Sequence, residues 1–152
     1  MVKINGEPLV ILLVEDNEAH AELVMRNMRN QRVANTIYHV ADGEQALDFM
    51  FHRGKYAKYG ASPVPNLILL DLRLPKVDGL EVLTTLKETP EMRRIPVVIL
   101  TSSEAESDIA RSYDHHANSY IVKPLEFSTF TKLMQDLGFY WLGWNAHPVL
   151  QE

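Results

Sequence analysis

The chain predicts a parallel doubly wound α/β sheet of five strands and five helices. Three observations carry this. Short continuous apolar runs recur along the chain: Leu9 to Val14, Leu67 to Leu70 and Val97 to Leu100. Runs of this length are what strands buried on both faces look like. Amphipathic segments of helical period lie between them, and strand–helix alternation is the pattern of a parallel sheet with right-handed crossovers and helices on both faces. The 152 residues suit one domain with a substantial core.

The elements follow in order. Met1 to Pro8 reads as a short polar arm, and Leu9 to Val14 as the first strand, ending at Glu15-Asp16. Asn17 or Glu18 opens a helix whose apolar residues Leu23, Val24 and Met28 share a face, down to about Asn30. Thr36 to Val40 is short and β-branched, a second strand. Asp42-Gly43-Glu44-Gln45 resembles a capping box, followed by Ala46, Leu47, Phe49 and Met50 on a helix. His52 to Pro65 is the longest loop, with Tyr56 and Tyr59 among basic residues. It has the makings of a recognition loop, although aromatics more often pack a loop onto the body.

Leu67 to Leu70 then ends at a single carboxylate, Asp71, before Pro75 and the Asp78-Gly79 pair mark a loop and a helix start. Leu80, Leu83 and Leu86 give that helix one apolar face, closed by Thr89-Pro90. Pro96 introduces the Val97 to Leu100 strand, which stops at Thr101-Ser102. Ser103 and Glu106 have capping-box spacing, and the helix after them, to about Tyr113, is poor in large apolar residues, hence thinly packed and movable. Tyr120 to Val122 is the last strand, ending at Lys123-Pro124, and a final helix starts near Glu126.

Composition excludes several chemistries. The apolar fraction of 46% and charged fraction of 23% are those of an ordinary soluble globule, and the net charge of −5 is spread along the chain. No basic stripe marks a nucleic-acid groove, and no apolar run is long enough to span a bilayer. No leader for export is visible, so the expected compartment is the cytoplasm. There is no cysteine, hence no disulfide, thiolate metal site or thiol nucleophile. His115-His116 are adjacent and cannot share a helix face, and no other pair has metal-site spacing, so all six histidines read as surface or packing residues.

The strand ends are the informative part. The first strand delivers Glu15 and Asp16, the third Asp71, the fourth Thr101 and the fifth Lys123, all to one rim of the sheet. That rim is where open α/β sheets place their chemistry. Singly, these are capping acids, a loop hydroxyl and a surface lysine. Jointly, massed carboxylates call for a cation, and Mg²⁺ takes a few carboxylate oxygens while keeping positions open for phosphate oxygens. The set suits phosphoryl transfer to a carboxylate: Asp71 attacks in line, while the cation, Lys123 and Thr101 stabilise charge on the transferred oxygens.

LLVEDN at Leu12 to Asn17, LLDLRLPKVDG at Leu69 to Gly79, ILTSS at Ile99 to Ser103 and YIVKP at Tyr120 to Pro124 resemble the receiver domain of two-component response regulators. The resemblance covers nearly the whole chain as a single receiver domain, 1–152, with an arm at 1–8 and an extension at 138–152. It implies the CheY-like (flavodoxin-like) fold, with strand order 2-1-3-4-5 and an extended last helix. It implies Asp71 as phosphoacceptor, Glu15 and Asp16 as Mg²⁺-pocket acids, Arg73 as a ligand through its backbone carbonyl, and a cis peptide at Lys123-Pro124. It further implies that Lys123 contacts the phosphoryl group and that Thr101 and Tyr120 are a switch pair. FHRGKYA (Phe51 to Ala57), RRIPVVILTSS (Arg93 to Ser103), SYDHHANSYIVKP (Ser112 to Pro124) and the aromatic tail look like the stand-alone regulators that partner phytochrome-type histidine kinases.

Arg73, where many receivers carry Asn or a smaller residue, and Ser103 stand at positions that face the attacking water in this family. They are expected to tune the phosphoryl lifetime. Phe127, Phe130, Met134, Leu137, Trp141 and Trp144 recur at spacings of three and four, and FYWLGW stays aromatic past Gly138. Phe139, Tyr140, Trp141 and Trp144 are therefore an expected homodimer surface, with the thin fourth helix as a second candidate contact; folding of the tail over its own domain is the alternative. The expected output is a partner protein or a histidine phosphotransfer protein, with no enzymatic turnover beyond self-phosphorylation and autodephosphorylation. Three other functions compete. A haloacid-dehalogenase-type phosphatase needs a second acid two residues after its nucleophile, where this chain has Arg73. A flavodoxin-like or dinucleotide-binding module needs a Gly-rich or Ser/Thr-rich loop after the first strand, and none is there. A receiver-like dimerisation module that takes no phosphate would have no need of the acceptor residues that are present.

Overall fold

A computed structural model of the chain describes residues 9–29, 35–58, 62–72, 74–101 and 119–122. Five strands, β1 (Leu9–Val14), β2 (Asn35–Val40), β3 (Leu67–Asp71), β4 (Val97–Thr101) and β5 (Ser119–Val122), form one parallel sheet of order β2-β1-β3-β4-β5. Helices α1 (Glu18–Arg29), α2 (Gly43–Phe51) and α3 (Gly79–Glu88) connect the first four. The expected fourth and fifth helices, the N-terminal arm and the tail lie outside the described residues. Among the described residues no helix is long and apolar enough to cross a membrane.

The apolar strands are continuous because both faces are covered. Leu9, Ile11 and Leu13 of β1 join Leu67, Leu69, Val98 and Leu100 in one core, closed by Ala21, Val24 and Met28 of α1. The alternate residues Leu12, Val14, Ile68, Leu70, Val97 and Ile99 join a second core on the other face, against Ala46, Phe49 and Met50 of α2 and Leu80, Val82, Leu83 and Leu86 of α3. Successive strand residues point to opposite faces, so one apolar run feeds two cores. Each fully buried leucine or isoleucine contributes about 1.5–3 kcal/mol. The central strand register is thereby fixed, because a one-residue slip would exchange the two faces.

The helix starts match the capping signals. Asn17 Oδ1 accepts from the His20 N–H at 3.0 Å and so caps α1. Asp42 is the N-cap of α2 and accepts from the Gln45 N–H at 2.7 Å. The return half of the capping box is displaced by one residue, since Gln45 Oε1 accepts from the Ala41 N–H at 3.3 Å rather than from Asp42. Asp78 caps α3 by accepting from the Leu80 N–H at 2.8 Å. At the other end of α3, Lys87 Nζ donates to the Arg93 and Ile95 carbonyls at 3.1 and 2.9 Å. Burial of that ammonium holds its pKa below the ordinary lysine value.

The loop from His52 onward contains a short 3₁₀ turn, Gly54–Tyr56. Tyr56 packs edge-on against Phe49 at 5.1 Å between ring centroids, and the ring of Tyr38 on β2 lies 5.5 Å from that of Phe49. The described aromatic of this loop thus fastens it to the body, while Tyr59 lies outside the described residues.

Candidate functional site

Parallel pairing brings the carboxyl ends of all five strands to one rim. Asp71 is the last residue of β3 and pairs with Leu100; Thr101 closes β4 opposite Val122, the last residue of β5. Val14 pairs with Leu70 on β3 and Val40 on β2, so Glu15 and Asp16 emerge beside Asp71. Carboxylate oxygens of Glu15, Asp16 and Asp71 all lie within 4.8 Å of one another. Glu15 is 0% and Asp71 6% exposed, whereas Asp16 is on the surface. Two acids are thus recessed in the rim and the third stands at its mouth.

Such a cluster is costly when ionised. Two carboxylates at this spacing repel by on the order of 3 kcal/mol at an effective dielectric constant of about 20, less for the exposed Asp16. Three hard oxygen donors converging on one point have the spacing and chemistry to hold a divalent cation, which removes that repulsion.

The backbone holds Glu15 from both sides. Its N–H donates to the Val40 carbonyl at 3.1 Å. Its carbonyl lies 2.7 Å from His39 Nε2, and since a carbonyl only accepts, Nε2 carries the proton. Glu15 Oε2 accepts from the Asn17 N–H at 3.2 Å, and His20 Nδ1 is 3.8 Å from Glu15 Oε1. Two of the histidines read as surface or packing residues, the half-buried His20 and the exposed His39, stand beside Glu15. A histidine at the end of the neighbouring strand and another in the first turn of α1 were the available signals.

The loop after Asp71 is anchored to two helix starts. The Gly79 N–H donates to the Leu72 carbonyl at 3.0 Å, and a Cβ at Gly79 would overlap the Asp71 carbonyl and the Leu72 backbone. Gly43 likewise admits the Val77 carbonyl where a Cβ would collide, and its N–H points to the Pro75 carbonyl at 3.5 Å. Lys76 adopts a left-handed conformation (φ 67°), and its ammonium lies 3.7 Å from Asp42 Oδ2. That conformation costs a lysine about 1 kcal/mol or more and persists because the surrounding contacts hold it. Asp42 and Lys76 were not singled out as site-supporting residues from sequence, where Asp42 read only as a helix cap.

Of the predicted site residues, Glu15, Asp16 and Asp71 are brought together. Thr101 and Tyr120 are placed by strand register only: Thr101 one residue beyond the partner of Asp71, and Tyr120 opposite Ile99. Arg73, Ser103, Lys123, Phe139, Tyr140, Trp141 and Trp144 lie outside the described residues, as does the Lys123-Pro124 peptide.

A profile of the response regulator receiver domain matches residues 11–135. The chain is 46% identical over 143 residues to a protein of Methanothrix harundinacea named as a probable methanogenesis regulatory protein, FilR2, covering 93% of this chain and 89% of that one. It is 42% identical over 138 residues to response regulator Rcp1 of Synechocystis sp., covering 91% and 92% respectively. The crystal structure of the Mn²⁺-bound form of Rcp1 superposes with a TM-score of 0.75 at 41% identity, covering 93% of this chain and 99% of that chain. The bacteriophytochrome response regulator AtBRR superposes with a TM-score of 0.77 at 47% identity, covering 89% and 96%. With the sheet order, the acidic rim and these likenesses in agreement, the chain belongs to the response regulator receiver family, the phosphoacceptor side of two-component signalling.

Proposed function

We propose that this chain accepts a phosphoryl group on Asp71 from the phosphohistidine of a sensor kinase, with Mg²⁺ held by Glu15, Asp16, Asp71 and the Arg73 carbonyl. The observation that carries the reading is the convergence of the three carboxylates at the carboxyl rim, with Asp71 recessed at the end of the central strand. An Asp71 oxygen attacks phosphorus in line; the new O–P bond forms as the P–N bond of phosphohistidine breaks, and the imidazole leaves with the electron pair and is reprotonated. A bound divalent cation supplies positive charge to the transferred oxygens. Lys123 adds a second charge and Thr101 a hydroxyl donor. Burial of Glu15 and Asp71 limits water at the acyl phosphate, and Arg73 and Ser103 set how fast water reaches it.

The output is conformational. Thr101 moves toward the phosphoryl oxygens and Tyr120 fills the space behind it, a two-state packing change biased by one new charged group. The whole of 1–152 acts as one receiver unit, with 1–8 as an arm and 138–152 as an extension. Phe139, Tyr140, Trp141 and Trp144 form a homodimer surface. The chain works in the cytoplasm without turnover chemistry beyond self-phosphorylation and autodephosphorylation, passing its signal to a protein partner or to a histidine phosphotransfer protein, and binds neither nucleic acid nor membrane. Its kinase is of the phytochrome type, a reading supported by this chain's likeness to the bacteriophytochrome response regulator AtBRR.

Incubation with acetyl phosphate and Mg²⁺ tests the core of this reading. Intact mass should show one labile phosphoryl group that does not form when Mg²⁺ is chelated beforehand and is absent in Asp71→Asn. A chain that stays unmodified under these conditions returns the protein to a dimerisation-only role.

A further inference from the structure

We propose that His39 is a positioning residue for the cation site: by fixing the peptide group between Glu15 and Asp16, it aims the Asp16 carboxylate at those of Glu15 and Asp71. The inference rests on the reading of those three acids as a cation site.

Burial does not aim Asp16. Glu15 and Asp71 are buried and held by the packing around them, whereas Asp16 stands on the surface with its carboxylate still within 4.8 Å of theirs. An exposed side chain keeps such a place only as well as its backbone is held, because backbone freedom spreads the carboxylate over many positions. Two peptide groups flank Asp16, and a hydrogen bond holds each. On the far side, the Asn17 N–H donates to Glu15 Oε2 at 3.2 Å, and Asn17 is tied into the first turn of α1 through the His20 N–H. On the near side, the Glu15 carbonyl accepts from His39 Nε2 at 2.7 Å. Each peptide group is planar, so holding both leaves φ and ψ of Asp16 little freedom.

The sheet delivers the imidazole. β2 runs parallel to β1 with His39 beside Leu13 and Val40 beside Val14, and the Glu15 N–H to Val40 carbonyl bond extends the pairing by one step. Ile37 packs against the core that α1 closes, and Val40 belongs to the core on the α2 face. Alternation therefore puts His39 on the α1 face at the rim, from where its ring reaches the carbonyl of the residue that follows β1. His39 is itself exposed, so water replaces the ring at that carbonyl when the ring is removed. What is lost is direction rather than a buried partner, and supporting bonds of this kind act on metal affinity more than on folding.

The test compares the full chain with His39→Leu, which removes the donor, and His39→Gln, whose side-chain amide keeps one at similar reach. Mg²⁺ affinity is measured by calorimetry and the urea unfolding midpoint without Mg²⁺. His39→Leu should lose about tenfold in Mg²⁺ affinity at an unchanged midpoint, and His39→Gln should recover most of the loss. The Asp16 amide shares its peptide group with the Glu15 carbonyl. Its NMR signal should broaden by microsecond-to-millisecond exchange in His39→Leu and stay sharp in His39→Gln. The proposal is overturned if His39→Leu binds Mg²⁺ within about twofold of the parent, if affinity and midpoint fall together, or if His39→Gln is as weak as His39→Leu. An Asp16 amide that stays sharp in His39→Leu overturns it as well. Mg²⁺ binding that survives Asp16→Asn would instead remove the cation site itself, and this inference with it.

Discussion

Asp71 owes its place to what precedes it. Four apolar residues buried on both faces of the sheet carry the chain to the rim, and the first residue that can reach solvent chemistry is a carboxylate. Glu15 arrives by the same route from the adjacent strand. Replacing Glu15 by Gln keeps the shape and removes a charge, so Mg²⁺ affinity should fall by about tenfold or more in a calorimetric titration. An unchanged affinity would mean that the cation avoids this acid. Arg73→Asn should shorten the life of the phosphorylated form by about tenfold, equivalent to about 1.4 kcal/mol of barrier, read from the decay of the phosphorylated band on a phosphate-affinity gel. An unchanged decay means the guanidinium points away. The acids were legible in the sequence because each follows an apolar run. His20 and His39 were not, because their closeness to Glu15 comes from the turn into α1 and from the β1–β2 pairing, neither of which leaves a periodic trace.

At the scale of elements, two helix starts and one loop brace the site. Asp42 caps α2, accepts from Gln45 and lies beside the Lys76 ammonium. Asp42→Ala should cost about 1 kcal/mol or somewhat more in urea unfolding, the usual worth of an N-cap plus a weak ion pair. Gly79 and Gly43 offer a sharper comparison. Either alanine should destabilise by about 1–3 kcal/mol, since backbone rather than a flexible side chain stands in the way. Gly79→Ala should also weaken Mg²⁺ binding, because the obstructing atoms belong to Asp71 and Leu72. Gly43→Ala, which meets Val77, should leave cation affinity closer to that of the parent. Equal effects of the two on cation affinity would show that the Asp71 backbone is not what Gly79 protects. The caps and helix starts could be read from residue type alone. The left-handed Lys76 could not, since lysine carries no preference for that conformation and only the packing of the loop imposes it.

For the whole molecule, the parallel sheet with a core on each face followed from the alternation of apolar strands and amphipathic helices together with the crossover rule, whereas the strand order came only with the resemblance to receiver domains. A probable methanogenesis regulatory protein at 46% identity and a bacteriophytochrome response regulator at 47% resemble this chain about equally. The proposed homodimer is tested at this scale. Light scattering should give a dimer for the full chain and a monomer for a chain ending at Leu137; two monomers would refute the dimer.

The most direct measurement traps the acyl phosphate where it forms. After treatment with acetyl phosphate and Mg²⁺, borohydride reduction followed by peptide mapping should place the reduced residue at Asp71 and nowhere else. Reduction at Asp16, at another acid, or at none would contradict the account.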